Sequence, residues 1–259
     1  MDLYLENKVM IVTGGERGIG EGIVRGMVAE GGTVVIAGRV EPDGKKLAQD
    51  LTTNGGKCFF IHSELTQPGQ CERIIDLTLE KYGRIDILVN NAGVNDRVSL
   101  EKGNHEDFMR SFDENVSHYY SMAHFALKAL KVTRGTIINI SSKTGLTGQG
   151  GNSGYVSAKA AQLGLTRDWA IELLPFGIRV NAVLPAEVMT PMYINWLNGF
   201  ENPGQKLKAI TDRIPLGKRM TTTQEIADMV LFLASERASH ITGQFLHVDG
   251  GYVHLDRAL

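Results

Sequence analysis

The sequence predicts an α/β fold, a doubly wound parallel sheet with helices on both faces. Short β-branched runs alternate with longer amphipathic stretches along the chain, the rhythm that builds such a sheet. The strand candidates are apolar almost throughout rather than alternating, as strands covered on both faces are. A glycine-rich turn joins the first strand to the first helical stretch.

The first strand is read at 9–13 (VMIVT), and a turn with Gly14, Gly15, Gly18 and Gly20 leads into a helix at 18–28. Strands at 33–37 (TVVIA) and 57–62 (KCFFIH) flank a helix at 43–53. A helix at 68–82 leads to the strand 85–90 (IDILVN), and a long helical pattern at 105–130 leads to 136–141 (TIINIS). The helix 153–174 precedes the strand 179–184 (RVNAVL), and a helix at 223–235 precedes the last strand, 245–248 (FLHV). Each assignment rests on apolar periodicity and β-branched enrichment. The rhythm breaks over 187–223, which holds Pro191, Pro203 and Pro215 with Tyr193 and Trp196. A long irregular insertion in a compact domain is usually functional, and this one is read as a substrate lid.

With 259 residues, the chain is read as a single domain spanning 1–259, large enough to bury a sizeable core. A formal charge of -2 gives no basic surface for nucleic acid or anionic membrane. No apolar run approaches the ~20 residues of a membrane span. Cys58 and Cys71 are too few for a disulfide framework and point to a reducing compartment. The opening MDLYLENKVMIVTGG lacks a signal-peptide layout, so the expected localisation is cytoplasmic. The histidines are scattered with no Cys/His cluster, which argues against a metal centre.

The turn after the first strand has the chemistry of a phosphate cradle. Gly14, Gly18 and Gly20 allow a tight turn and close backbone approach, and the helix beginning near Ile19 offers free N–H groups and a positive dipole end. The spacing is G-x-x-x-G-x-G, and by itself such a turn is only a turn needing positive φ. Its place between strand and helix points to a dinucleotide. An NAD site usually carries an acidic residue at the end of the second strand. Here that strand ends Ala37-Gly38-Arg39 with no carboxylate. Arg39 and Arg17 would receive a 2′-phosphate through charge-assisted hydrogen bonds. The expected cofactor is NADP or NAD, with NADP favoured; the bland reading makes both arginines solvated surface residues.

Ser142, Tyr155 and Lys159 carry the chemistry. Tyr155 and Lys159 are i and i+4, on one helix face, and Ser142 approaches from a strand end. A tyrosine beside a fixed cation acts as acid or base nearer neutrality than its free pKa of about 10. Alone, Tyr155 and Lys159 are an ordinary helical pair. Taken with residues 13–20, Asn90-Asn91-Ala92-Gly93 and Asn115, they resemble the short-chain dehydrogenase/reductase family, over essentially the whole chain. The resemblance implies a Rossmann-type seven-stranded sheet, a nicotinamide cofactor, and hydride transfer between an alcohol and a carbonyl. It implies that Ser142 orients the substrate oxygen and Tyr155 is the acid/base. Lys159 would lower the Tyr155 pKa and hold the nicotinamide ribose, and Asn115 would position a water linking Lys159 to solvent. The cofactor would also meet Asn91, Ala92 and Gly93, then Glu64 and Leu65 near the adenine, and Pro185, Val188 and Thr190 near the carboxamide. Two departures stand out: Pro185-Ala186 replaces the family's common Pro-Gly, and Glu64 replaces its common Asp.

The loops expected around the substrate, 94–97, 143–152 and 187–198, are polar. Asn95, Gln149, Asn152 and Glu187 offer hydrogen bonds, and Trp196 a stacking surface, which suits a sugar or polyol better than a steroid or acyl chain. The segments SSKTGLTGQGGNSGY, NAVLPAEVMTP and HVDGGYVHLDRAL resemble bacterial L-fucose dehydrogenase members of the family. That would imply oxidation of an L-fucose-like aldose at the anomeric carbon to its lactone. The alternatives are a 3-oxoacyl or general ketone reductase and, more remotely, a non-catalytic dinucleotide sensor. Ala160, Ala161 and Gly164 make part of helix 153–174 small and uncharged, which together with the resemblance implies a homotetramer or homodimer. The tail 252–259 is expected either to cap a neighbour's pocket through His254 or Arg257 or to be an exposed terminus.

Overall fold

The computed structural model describes residues 2–255, and Arg257 lies outside them. Seven strands form one sheet: β1 (Val9–Thr13), β2 (Thr33–Gly38), β3 (Lys57–His62), β4 (Ile87–Asn90), β5 (Thr136–Ile140), β6 (Arg179–Pro185) and β7 (Phe245–Val248). Every pairing is parallel and the order is β3-β2-β1-β4-β5-β6-β7. The chain therefore winds outward from β1 to β3, then crosses back to lay β4 on the other side of β1. That reversal opens a crevice at the carboxyl ends of β1 and β4.

The strand register explains the two cores. Val12 lies beside Ile36 and Val89, while Ile11 lies beside Val35 and Leu88. Successive side chains point to opposite faces, so the two sets enter different cores. One packs under α1 (Gly18–Ala29) and α10 (Thr223–Ala234) through Ile23, Met27, Ile226 and Val230. The other packs under α3 (Gln70–Tyr82), α5 (His118–Thr133) and α7 (Ser153–Glu172) through Ile74, Met122 and Trp169. Helix α2 (Glu41–Thr53) joins the first core through Leu47. The start of α10 carries a capping box, with Thr222 and Glu225 each satisfying the other's backbone N–H.

One expectation is corrected, and two other points gain detail. The helical pattern 105–130 is found as an unbroken helical run, α4 (His105–Phe112) passing into α5 through a π turn at Asp113–Ser117. A π turn leaves apolar periodicity nearly intact, so the pattern gave no warning of it. The interval 187–223 is not irregular, since it contains α8 (Pro191–Leu197) and α9 (Pro203–Thr211). Pro191 and Pro203 start helices rather than break them, because proline at the first helical position loses no hydrogen bond. Thr190 and Asn202 cap them, accepting from Tyr193 N and Gln205 N. The interval is also anchored: Thr221 N donates to Glu187 O (2.9 Å) and Met189 N to Thr221 O (3.1 Å). Finally, Ala186 needs no positive φ, so the missing glycine leaves the path from Glu187 to Thr190 unstrained.

Candidate active site

A cleft of about 620 Å³ runs across the carboxyl end of the sheet. Its floor is built where the turn after β1 meets the loop after β4. Thr13 Oγ1 accepts from Asn91 N (2.9 Å) and Ala92 N (3.1 Å), and Asn91 Nδ2 donates to Thr13 O (2.9 Å) and Gly14 O (3.1 Å). Gly14 has φ 61°, and a Cβ on Gly20 would fall 2.1 Å from Gly14 O. Only glycine permits that closeness. Arg17, the residue before α1, makes no side-chain cap, so the helix presents its first N–H groups to the cleft. Gly18, Ile19 and Gly93 complete this wall. A dinucleotide fits the cradle: close backbone, an uncapped helix start, and a cleft that continues from Gly14 to Thr190.

At the far end of the cradle stand five charged side chains. Arg17 is ion-paired with Asp43, and Arg39 Nη1 lies 3.7 Å from Glu64 Oε2. Glu16, absent from the sequence-based candidates, is buried against Gly38 and lines the cleft. Leu65 lines it beside Glu64, and Pro185, Val188 and Thr190 line the opposite end.

Tyr155 and Lys159 come from α7, and Ser142 from the end of β5. All three line the cleft. Tyr155 shows part of its ring to the cleft. Burial pushes its phenol up to about 12, partly offset by a hydrogen bond with Ser142. Burial pushes Lys159 down to about 7. Its Nζ donates to Ile140 O (2.8 Å) and sits 5.6 Å from the Tyr155 ring centroid. Burial rather than the lysine sets the Tyr155 phenol, because both groups leave water and desolvation disfavours both charged forms. Ser142 Oγ accepts from Thr144 N (3.2 Å) and Thr144 Oγ1 (3.0 Å), which fixes the oxygen.

Asn115 sits on the π turn, fully buried, and does not line the cleft. Its side chain is committed to the fold: Oδ1 accepts from Val94 N and Nδ2 donates to Ser111 O, each at 2.9 Å. Its main-chain oxygen accepts from Gln162 Nε2 (2.6 Å). The neighbouring His118 lines the cleft with Nε2 3.2 Å from Glu114 O. Burial, and secondarily Lys159, push it down to about 4, so it is neutral near pH 7.

The substrate end brings Asn95, Gln149 and Glu187 to the cleft. Glu187 forms an ion pair with Lys143, their side chains only 13% and 10% exposed. Tyr193 Oη donates to Glu187 Oε2 (2.6 Å), and Lys143 Nζ lies 3.8 Å from the Tyr252 ring centroid. Burial and the Glu187 carboxylate hold the Tyr193 phenol protonated. Two substrate candidates lie elsewhere. Trp196 does not line the cleft; it stands edge-on against Tyr193 (5.1 Å) and Phe200 (4.9 Å). Asn152 precedes α7 and donates to Gly150 O (3.2 Å), bracing its own loop. His254 meets His247 of the same chain, Nε2 to Nε2 at 3.0 Å. Lys143 and Glu187 are 44 positions apart, so no local signal in the sequence could pair them.

The enoyl-(acyl carrier protein) reductase family profile matches residues 14–253. The chain is 34% identical to the 3-oxoacyl-[acyl-carrier-protein] reductase FabG of Thermotoga maritima, over 97% of this chain and 100% of that one. Among solved structures, Cj0485 dehydrogenase is 47% identical with a TM-score of 0.95, covering 100% of this chain and 99% of that one. The aldohexose dehydrogenase AldT of Thermoplasma acidophilum is 32% identical with a TM-score of 0.90, covering 100% and 99%. Matches that run the length of the sheet and take in the whole cleft leave one conclusion: the chain belongs to the short-chain dehydrogenase/reductase family of NAD(P)-dependent oxidoreductases.

Proposed function

We propose that this enzyme oxidises an L-fucose-like aldose at its anomeric carbon to the lactone, with Tyr155 as general base. The observation that carries the reading is the buried Lys143–Glu187 pair with Tyr193, set in the same cleft as Ser142 and Tyr155. A carboxylate with an attached phenol and ammonium presents acceptors and donors at fixed positions, which suits adjacent ring hydroxyls. A long acyl chain or steroid would have to cover a charged pair without compensating it. The likeness to AldT, an aldohexose dehydrogenase, lends support.

Ser142 holds the anomeric oxygen, its own oxygen fixed by Thr144. Tyr155 acts in its deprotonated form, a minority near neutrality because burial holds its phenol up at about 12, and takes the hydroxyl proton while the C–H bond gives up its hydride and the carbonyl of the lactone forms. The nicotinamide, when bound, supplies the hydride acceptor. Lys159 stabilises the phenolate, and its own lowered pKa lets it pass a proton onward near neutrality. Asn115 holds the 94–97 loop through Val94 N and so shapes the cleft from behind. The enzyme is read as cytoplasmic and homo-oligomeric.

The FabG relative supports a second reading, a 3-oxoacyl or ketone reductase. Purified protein assayed with both cofactors against L-fucose, D-arabinose, L-galactose, acetoacetyl thioesters and steroids separates them. Turnover of at least one aldose is expected; activity confined to thioesters or steroids overturns the sugar reading.

A further inference from the structure

The adenosine end of the cleft holds a carboxylate without a full set of partners. Glu16 is only 7% exposed. Its Oε1 accepts from Val40 N (3.3 Å), while Oε2 is buried with no hydrogen-bond partner. The carboxylate lies directly over Gly38: a Cβ there would meet Oε2 at 2.0 Å and Oε1 at 2.5 Å. Gly38 is the last residue of β2, the place where an acidic side chain receives a ribose 2′-hydroxyl in NAD sites. The glycine turn thus delivers from Glu16 the carboxylate that β2 itself lacks. Meanwhile the two arginines expected to welcome a 2′-phosphate are occupied, Arg17 by Asp43 and Arg39 by Glu64.

We infer that Glu16 is the acceptor for the 2′-hydroxyl of the adenosine ribose, and that it makes this cleft prefer NAD over NADP. A buried charged acceptor left unpaired is costly, and a hydroxyl donor removes that cost. The last torsion of a glutamate is broad, so the carboxylate turns an oxygen to the ribose without leaving its place over Gly38. A 2′-phosphate offers no donor there and sets like charges together. This revises the preference for NADP drawn from Arg17 and Arg39 alone. It rests on the chain being a nicotinamide dinucleotide enzyme, and not on which alcohol it oxidises.

The test uses fragments that take no part in hydride transfer. ADP-ribose and 2′-phospho-ADP-ribose are titrated calorimetrically into the full-length wild type and Glu16→Gln, with thermal midpoints recorded alongside. Wild type is expected to bind ADP-ribose about tenfold or more tightly than the phosphorylated fragment, and Glu16→Gln to shrink that ratio about tenfold. Tighter wild-type binding of the 2′-phospho fragment overturns the inference. So does an unchanged ratio in Glu16→Gln, or an equal loss for both fragments, which marks a purely structural role. If the variant fails to fold, the wild-type ratio alone decides. None of these readouts depends on a sugar, so a failed substrate screen leaves them intact.

Discussion

Lys159 shows stability being traded for a site at the scale of one residue. Its folded pKa, pushed down to about 7 by burial, lies below the ordinary lysine value of about 10.4. Between those values the unfolded chain binds more protons than the folded one, so stability rises with pH across that window. Below about 7 both states are charged and the folded state bears the full desolvation penalty; above about 10.5 the penalty is gone. Lys159→Met should therefore raise the thermal midpoint at pH 6, with the gain shrinking as pH climbs from 7 towards 10. The substitution leaves no orphaned carbonyl, because Ile140 O also accepts from Tyr119 Oη (3.1 Å). Turnover should fall by about 10²–10⁴, the typical share of a positioned proton-transfer system. Thermal scans at pH 6 and 9.5 beside initial rates check both halves, and a midpoint that drops equally at both pH values refutes the account.

At the scale of elements, Lys143 and Glu187 tie the β5–α6 connection, where α6 is Thr144–Thr147, to the segment after β6. Removing one partner leaves the other charge buried and unmatched, which costs about 3–5 kcal/mol, whereas replacing both with apolar groups is often neutral. Glu187→Met should lower the thermal midpoint, and Lys143→Met/Glu187→Met should recover it while leaving the aldose Michaelis constant at least tenfold raised. Recovery of sugar binding along with stability would make the pair a structural clip only. The elements themselves were largely legible: all seven strands lie within two residues of their expected positions, because two-sided burial writes an unbroken apolar run. The π turn bearing Asn115 was not legible, since one extra residue barely disturbs a helical stripe. Helices α8 and α9 were hidden behind prolines that mark helix starts as readily as breaks. In the cleft, the contiguous pieces such as Gly14–Gly20 could be read from spacing. Glu16 over Gly38 and Lys143 against Glu187 could not, because they depend on the three-dimensional path of distant loops. That Trp196 and Asn152 do not line the cleft could not be read either, because a loop's sequence does not say which way its side chains turn.

At the scale of the molecule, the outer face of α7 has no partner within the described chain. Ala160, Gly164 and Asp168 are exposed at four-residue intervals, and Ile171 beyond them is 72% exposed. A Cβ on Gly164 would meet nothing within 4 Å, so the glycine serves no packing need inside the subunit. Glycine in a helix interior costs roughly 1 kcal/mol relative to alanine, and a helix that keeps one on an open face leaves room for a close neighbour. A second copy related by a two-fold axis would bring the same small stripe against itself, burying Ile171 as well. The two possibilities give opposite signs for one substitution. If the face is free, Gly164→Gln simply improves the helix, and the thermal midpoint rises with the mass unchanged. If the face is a subunit contact, the longer side chain wedges it open: light scattering should show the wild type as a dimer or tetramer, the variant at half that mass or less, and the midpoint lowered. We expect the second outcome, and a monomeric wild type whose variant melts higher would exclude it.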